Sequence, residues 1–182
     1  MTSPAMQRVL APHTDERDPL ELVARMLVPG GYRVPVEGRS SRPTLQPGDV
    51  AAAVALMRDP LQREAAIAVA TRAERGDLFR VMARAYRAVV REVLMQRPAP
   101  LDLQAPADRW RLRLVTYDAV QDLVWPERRG SFTAQARQAK MRRTSYVEVY
   151  RCATHVLQQA LDGARRDFRR RLFDQAGFPD ER

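Results

Sequence analysis

Between Asp77 and Pro98 the apolar residues Leu78, Val81, Met82, Ala85, Val89 and Val93 recur at steps of three and four. That spacing lines one face of an α-helix, whereas a strand would bury every second residue. The opposite side carries Arg80, Arg84, Arg87 and Arg91, again at helical steps, so the segment is an amphipathic helix with an arginine stripe turned from the core. A helix of this kind needs other helices to cover its apolar face. The sequence around it supplies them.

"PLELVARMLV" (19–28) forms a short helix with Pro19 in its first turn and a stop at Pro29-Gly30-Gly31. The Pro- and Gly-rich stretch 32–48 is a loop, with at best a short edge strand at 32–36, because Pro35 lacks a ladder donor. Asp49 reads as an N-cap for "VAAAVALMRD". Pro60 opens "LQREAAIAVATRAER", which ends near Gly76, and Asp77 caps the amphipathic helix. Three successive helices in about fifty residues predict a small bundle.

The three prolines of "PAPLDLQAP" (98–106) mark a boundary. Beyond it, 108–125 is helical, with a wide apolar surface of Trp110, Leu114, Val115, Tyr117, Val120, Leu123 and Val124. The prediction is an all-α fold with these parts: a polar arm (1–18), an N-terminal helical lobe (19–97), a linker (98–107), a C-terminal helical lobe (108–176) and a tail (177–182). The length of 182 residues suits one domain or two small lobes sharing a core.

The C-terminal lobe carries the functional signal. Ser131 caps a short helix, "FTAQARQA", with Phe132, Ala136 and Ala139 on its apolar side. A basic turn follows, with Met141 as an apolar plug, and Thr144 or Ser145 caps a second helix. Its buried stripe is Tyr146, Val149, Ala153, Val156, Leu157 and Ala160. Two helices joined by a tight turn meet the description of a helix-turn-helix, and equally of a core hairpin with a solvated basic face. The turn often holds glycine because a positive φ is needed there; this chain has Lys140, its only lysine. In the DNA-binding reading, Arg142, Arg143, Thr144, Ser145, Val147, Glu148 and Arg151 are offered to base edges in the major groove. Arg128, Arg129, Arg137 and Lys140 suit phosphates. The arginine stripe 80–84–87–91 is a solvated face or a surface for RNA polymerase or RNA.

Charge supports the same region. Between 128 and 171, twelve basic residues stand against Glu148, Asp162 and Asp167, an excess equal to the net +9 of the whole chain. A basic block on helices is the footprint of a nucleic-acid binder, although an Arg-rich composition also produces solvated faces. At 164–173, "ARRDFRRRLF" reads as a helix interrupted at Gly163, with Ala164, Phe168 and Leu172 facing the core.

Catalytic and metal readings find little support. No glycine-rich phosphate loop, HExxH or GxSxG occurs, and Ser145 and His155 are about 15 Å of helical rise apart. The single cysteine, Cys152, leaves no disulfide framework or multi-cysteine zinc site, and with His155 makes a poor metal site. No enzymatic activity, cofactor or metal is expected. The absence of an apolar signal segment or membrane-length run predicts a cytoplasmic protein with no membrane partner.

"ARQAKMRRTSYVEVYRCATHVLQQAL" resembles the region-4 helix-turn-helix of sigma factors, whose second helix ends in an "RxAxxxL" pattern, here Arg151, Ala153 and Leu157. "TLQPGDVAAAVALM", followed downstream by "TSYVEVYRCATHVL", resembles the Q-type transcription antitermination proteins of phages and the related bacterial antiterminator AlpA. The resemblance extends over about 45–160 and is concentrated in 131–157. It implies a factor that binds a promoter-proximal element in double-stranded DNA and loads onto RNA polymerase with its sigma factor. It further implies changes to the RNA exit path, near the nascent RNA, that let terminators be read through. Some Q proteins carry a zinc motif, for which this chain lacks the cysteines. A helix-turn-helix regulator or sigma-like factor, and a phage assembly or packaging protein, are the rival readings.

Overall fold

One long helix organises the structure. In the computed structural model, which describes residues 18–27 and 47–175, seven α-helices and a single 3-10 turn make up the regular structure, with no strand among the described residues. The fold is all-α. The helices are α1 (Pro19–Leu27), α2 (Pro47–Ala55), α3 (Pro60–Ala70), α4 (Arg75–Met95), α5 (Pro106–Val124), α6 (Phe132–Gln138) and α7 (Arg143–Gln175), with the 3-10 turn at Pro126–Arg128. The arm over 1–17, the edge strand over 32–36 and the tail over 177–182 lie outside the described residues.

The buried stripe of α7 serves two hydrophobic clusters in succession. Its first half, through Tyr146, Val149, Ala153 and Leu157, joins Leu78, Val81, Ala85, Val89 and Val93 of α4 and Leu112, Val115 and Val120 of α5. Its second half, through Leu161, Ala164, Phe168 and Leu172, joins Leu20 and Val23 of α1 and Val50, Ala53 and Val54 of α2. Helix α3 contributes to both, with Ala65 and Ala68 in the first and Ala66 in the second. Residues on either side of 98–107 thus share one core. That segment is itself anchored there by buried Leu101 and by Leu103.

Several local expectations shift. Helix α7 runs without interruption through Gly163, which is buried where the Gln62 side chain crosses it; a Cβ at Gly163 would lie 2.6 Å from Gln62 Nε2. The glycine therefore permits a close helix approach and does not end a helix. Asp18, placed at the end of the arm, starts α1: its carboxylate accepts the Leu20 N–H at 3.0 Å and receives Arg165 at 2.7 Å. Asp49 lies within the first turn of α2. In α5, Trp110 is about half exposed and Tyr117 half-buried, while Leu112, Thr116 and Ala119 are buried. The Thr116 hydroxyl joins them by donating to the Leu112 carbonyl at 2.7 Å.

The break between α3 and α4 falls at Arg72, ahead of Gly76, which sits in the first turn of α4. Arg72 has φ 50°, and the N–H groups of Arg72 and Ala73 return to the carbonyls of Val69 and Ala68. Between α6 and α7, Lys140 has φ 52°, and the N–H groups of Lys140 and Met141 return to Arg137 and Ala136. Both are the same left-handed helix-ending motif, in which the sixth residue bonds back to the first. They differ in compensation. The Arg72 guanidinium donates to the Val124 carbonyl and Glu127, and lies 5.2 Å from the Trp125 ring centroid, whereas the Lys140 side chain is exposed.

Lys140→Gly removes left-handed strain with no lost contact, so we expect a gain of roughly 0.5–1 kcal/mol in urea unfolding. Arg72→Gly removes the strain and the anchor together and is expected to lower stability. Equal gains from both would contradict this assignment.

Candidate nucleic-acid interface

The unit formed by α6, its turn and the start of α7 is held from below by aromatic rings and carboxylates. Ser131 caps α6, its Oγ accepting the Ala134 N–H at 3.3 Å. Ala136 and Ala139 are buried and Met141 is half-buried against the core, where the apolar side of a short helix and its plug belong. Phe132 meets Tyr150 edge-on, with ring centroids 5.0 Å apart, and lies 6.2 Å from the Tyr146 ring. Such pairs contribute about 0.5–1.5 kcal/mol beyond their buried area and fix the angle between the helices.

Sequence reading missed the polar part of this support. Tyr146 and Tyr150, one turn apart on α7, donate to Asp118 and Asp122, one turn apart on α5, each at 2.8 Å. The equal four-residue spacing on both helices was the available signal. Burial pushes both aspartates above the usual carboxyl value of 3.8, opposed by the tyrosine hydrogen bonds. Burial, with the adjacent carboxylates, raises both phenols as well, Tyr150 to about 12 and Tyr146 further. The tyrosines are therefore neutral donors at physiological pH.

Arg129 belongs to this support. Its guanidinium is 3.5 Å from Asp122 and lies over Phe132 and Tyr150, 4.7 and 5.2 Å from their centroids. Arg128 lies 3.8 Å from the Trp125 centroid. Both remain exposed, but each already has an aromatic face, and Arg129 a carboxylate as well.

The other basic residues of the unit are arranged differently. Arg137, Lys140, Arg142, Arg143 and Arg151 are exposed and make no side-chain hydrogen bond or ion pair among the described residues. Thr144 and Glu148 are exposed beside them; Ser145 and Val147 are half-buried, and Val147 packs on the core. The N-cap of α7 lies two residues ahead of Thr144, the nearer of the expected caps: the Arg142 carbonyl accepts the Tyr146 N–H at 2.9 Å, which makes Arg142 the N-cap residue and puts Thr144 and Ser145 in the first turn. That turn contains no acid. Two arginines at the positive end of a 33-residue helix oppose its dipole, an arrangement that costs stability alone and favours an anion placed there.

Three of the more C-terminal arginines are paired within the fold. Arg165 pairs with Asp18 and Asp162, and Arg170 and Arg171 pair with Asp167. The Arg165 hydrogen bond holds the Asp18 carboxyl below its usual value despite partial burial. On α4, Arg80 pairs with Asp77, while Arg84, Arg87 and Arg91 are exposed without such partners. His155 faces Glu92 at 3.4 Å and Gln159 at 3.0 Å; Cys152 is buried, and burial raises its thiol. No helix among the described residues is long and apolar enough to cross a membrane.

The chain matches no protein-family model, no curated protein and no solved structure.

Tyr146→Phe leaves the Asp118 carboxylate without its donor and is expected to cost about 1–3 kcal/mol in chemical denaturation. The aspartates also set a pH dependence. Because their folded-state values are raised, the native state binds protons more tightly than the unfolded chain, and acidification through the interval above 3.8 favours folding at these two positions. Relative to an Asp118→Asn, Asp122→Asn chain, the parent should gain stability as pH falls through that interval. A gain on raising the pH would reverse the assignment.

Proposed function

We propose that this chain is a DNA-binding transcription factor of the antitermination class. The α6–turn–α7 unit takes up duplex DNA, with the first turns of α7 in the major groove and α6 across the phosphate backbone. What carries the reading is the pairing of two features: a supported helix-turn-helix hinge at Lys140, and a ring of unpartnered cations at the start of the second helix. A hinge alone is common in helical proteins. A helix start at which five basic side chains and one carboxylate are left without partners is what a polyanion with readable edges requires.

Arg142, Arg143, Arg151 and Glu148 are the base-reading candidates, since arginine can bond guanine O6 and N7 while glutamate accepts from the cytosine amino group. Thr144 adds a short donor and acceptor. Ser145 and Val147, being half-buried, contribute through backbone position or a methyl contact. Arg137 and Lys140 suit phosphates. Arg128 and Arg129 contribute by bracing the unit and, at their exposed ends, by field. The antitermination class rests on the sequence resemblance at 45–160: the bound factor engages RNA polymerase with its sigma factor and travels with it, acting at the RNA exit path.

Arg142→Ala with Arg143→Ala should reduce duplex affinity at least tenfold and relax its sequence discrimination, whereas Arg137→Ala with Lys140→Ala should lower the magnitude of the log–log salt slope by about 1.8, at about 0.9 per phosphate contact. Arg84→Ala with Arg87→Ala should spare duplex binding. In vitro transcription across an intrinsic terminator, on templates carrying the bound element, tests the class. Read-through should rise with the parent chain and stay at baseline with the Arg142 and Arg143 double variant. Unchanged read-through with the parent at saturating occupancy would leave a DNA-binding regulator and remove the antitermination reading.

A further inference from the structure

The exposed face shared by α4 and α5 combines two features that a merely solvated helix pair does not need. The first is aromatic. Phe79 is 54% exposed and stacks on Tyr117 at 4.7 Å between centroids, and Trp110 is 47% exposed further along α5. Arg113 lies 5.4 Å from the centroid of Tyr86, between the two helices. Exposure of large rings is unfavourable in water unless something covers them.

The second feature is uncompensated charge. The acids on these helices are already engaged: Asp77 with Arg80, Glu92 with His155, Asp108 with Arg111, Asp118 with Tyr146 and Asp122 with Tyr150. Arg84, Arg87 and Arg91 follow one another along α4, one turn apart, without a carboxylate partner among the described residues. None of these three arginines therefore has its charge matched by an ion pair among the described residues.

We infer that the α4–α5 face binds an unpaired nucleic-acid strand by base stacking on Phe79, Tyr117 and Trp110 and by phosphate contact with Arg84, Arg87 and Arg91. Exposed rings beside a row of guanidinium groups are the composition of a single-strand track, because every base offers a π-face and the backbone supplies the charge. Duplex bases are already stacked and offer no such face. A second copy of this chain is disfavoured, since a two-fold contact would bring arginine rows together. A protein partner would require an apolar centre with a polar rim, whereas here a row of arginines on α4 shares the face with the exposed rings. Nothing in this chemistry distinguishes ribose from deoxyribose, so DNA and RNA strands bind comparably. The inference is independent of the duplex reading, which concerns α6 and α7.

The test uses the full chain with labelled oligo(dT) and oligo(U) about twelve nucleotides long, followed by fluorescence anisotropy and tryptophan emission. Both oligonucleotides should bind within a few-fold of each other and quench emission, with the quenching lost in Trp110→Phe. Phe79→Ala should weaken binding about tenfold without changing the salt slope. Arg84→Ala with Arg87→Ala should lower the slope magnitude by about 1.4, at 0.7 per charge. The Arg142→Ala, Arg143→Ala chain should bind oligonucleotides as the parent does, even where duplex binding is lost. Absence of binding to both oligonucleotides at low salt overturns the inference. So does a loss that follows Arg142 and Arg143 in place of Phe79 and Arg87. If purified RNA polymerase is held through Phe79 and Arg87 while neither oligonucleotide binds, the face is a protein-docking surface and the inference is wrong.

Discussion

Burial of a single stripe along α7 is the constraint on which the other elements depend. Tyr146, Val149, Ala153 and Leu157 serve one cluster, and Leu161, Ala164, Phe168 and Leu172 serve the next. Neither cluster has an independent scaffold: α4 and α5 meet the first half of the helix, α1 and α2 the second, and α3 bridges them. Gly163 lies in the second half, where removal of one Cβ lets α3 come close enough for Gln62 to cross the helix. The hinge that presents the start of α7 therefore inherits its rigidity from the whole bundle. The two tyrosine–aspartate bonds at 2.8 Å add a polar registration between α5 and α7 that apolar packing alone would leave adjustable.

The arginines divide by partner. Arg165, Arg170 and Arg171, toward the end of α7, are paired with Asp18, Asp162 and Asp167, of which only Asp18 comes from outside the basic block of 128–171. Unmatched cations stand at the start of α7, with Arg137, Lys140, Arg142, Arg143 and Arg151, and along the outer side of α4, with Arg84, Arg87 and Arg91. Exposed ion pairs contribute little stability, so the effect of this division is chiefly on where the molecule's field remains strong.

Much of the fold was legible because helical periodicity is a property of the local chain. The stripes of α4 and α7, the Ser131 cap, the plug at Met141 and the left-handed turn at Lys140 could all be read from spacing. What escaped depended on contacts distant in sequence. Arg72 ends α3 in a conformation that suits glycine, held by Val124, Glu127 and Trp125 more than fifty positions away, so Gly76 drew the boundary to the wrong place. Gly163 reads as a helix breaker until Gln62 is known to lie against it. Trp110 looks like a core residue by composition, yet its position on α5 places it at the surface. For the candidate interface, the turn residues were legible. The internal engagement of Arg129 with Asp122, Phe132 and Tyr150 was not, because it depends on how α5 and α7 pair.

An uninterrupted α7 also acts as a ruler. From Thr144 to Leu172 the helix rises about 42 Å, close to twelve base-pair steps of a duplex. With the first turns seated in a groove, α1 and the Asp18–Arg165 tie would stand at a fixed reach and a fixed rotation from that groove. A single residue inserted into the rod would turn everything beyond it by about 100° while advancing it only about 1.5 Å. Angular phase, more than distance, is the quantity this architecture preserves between its two ends.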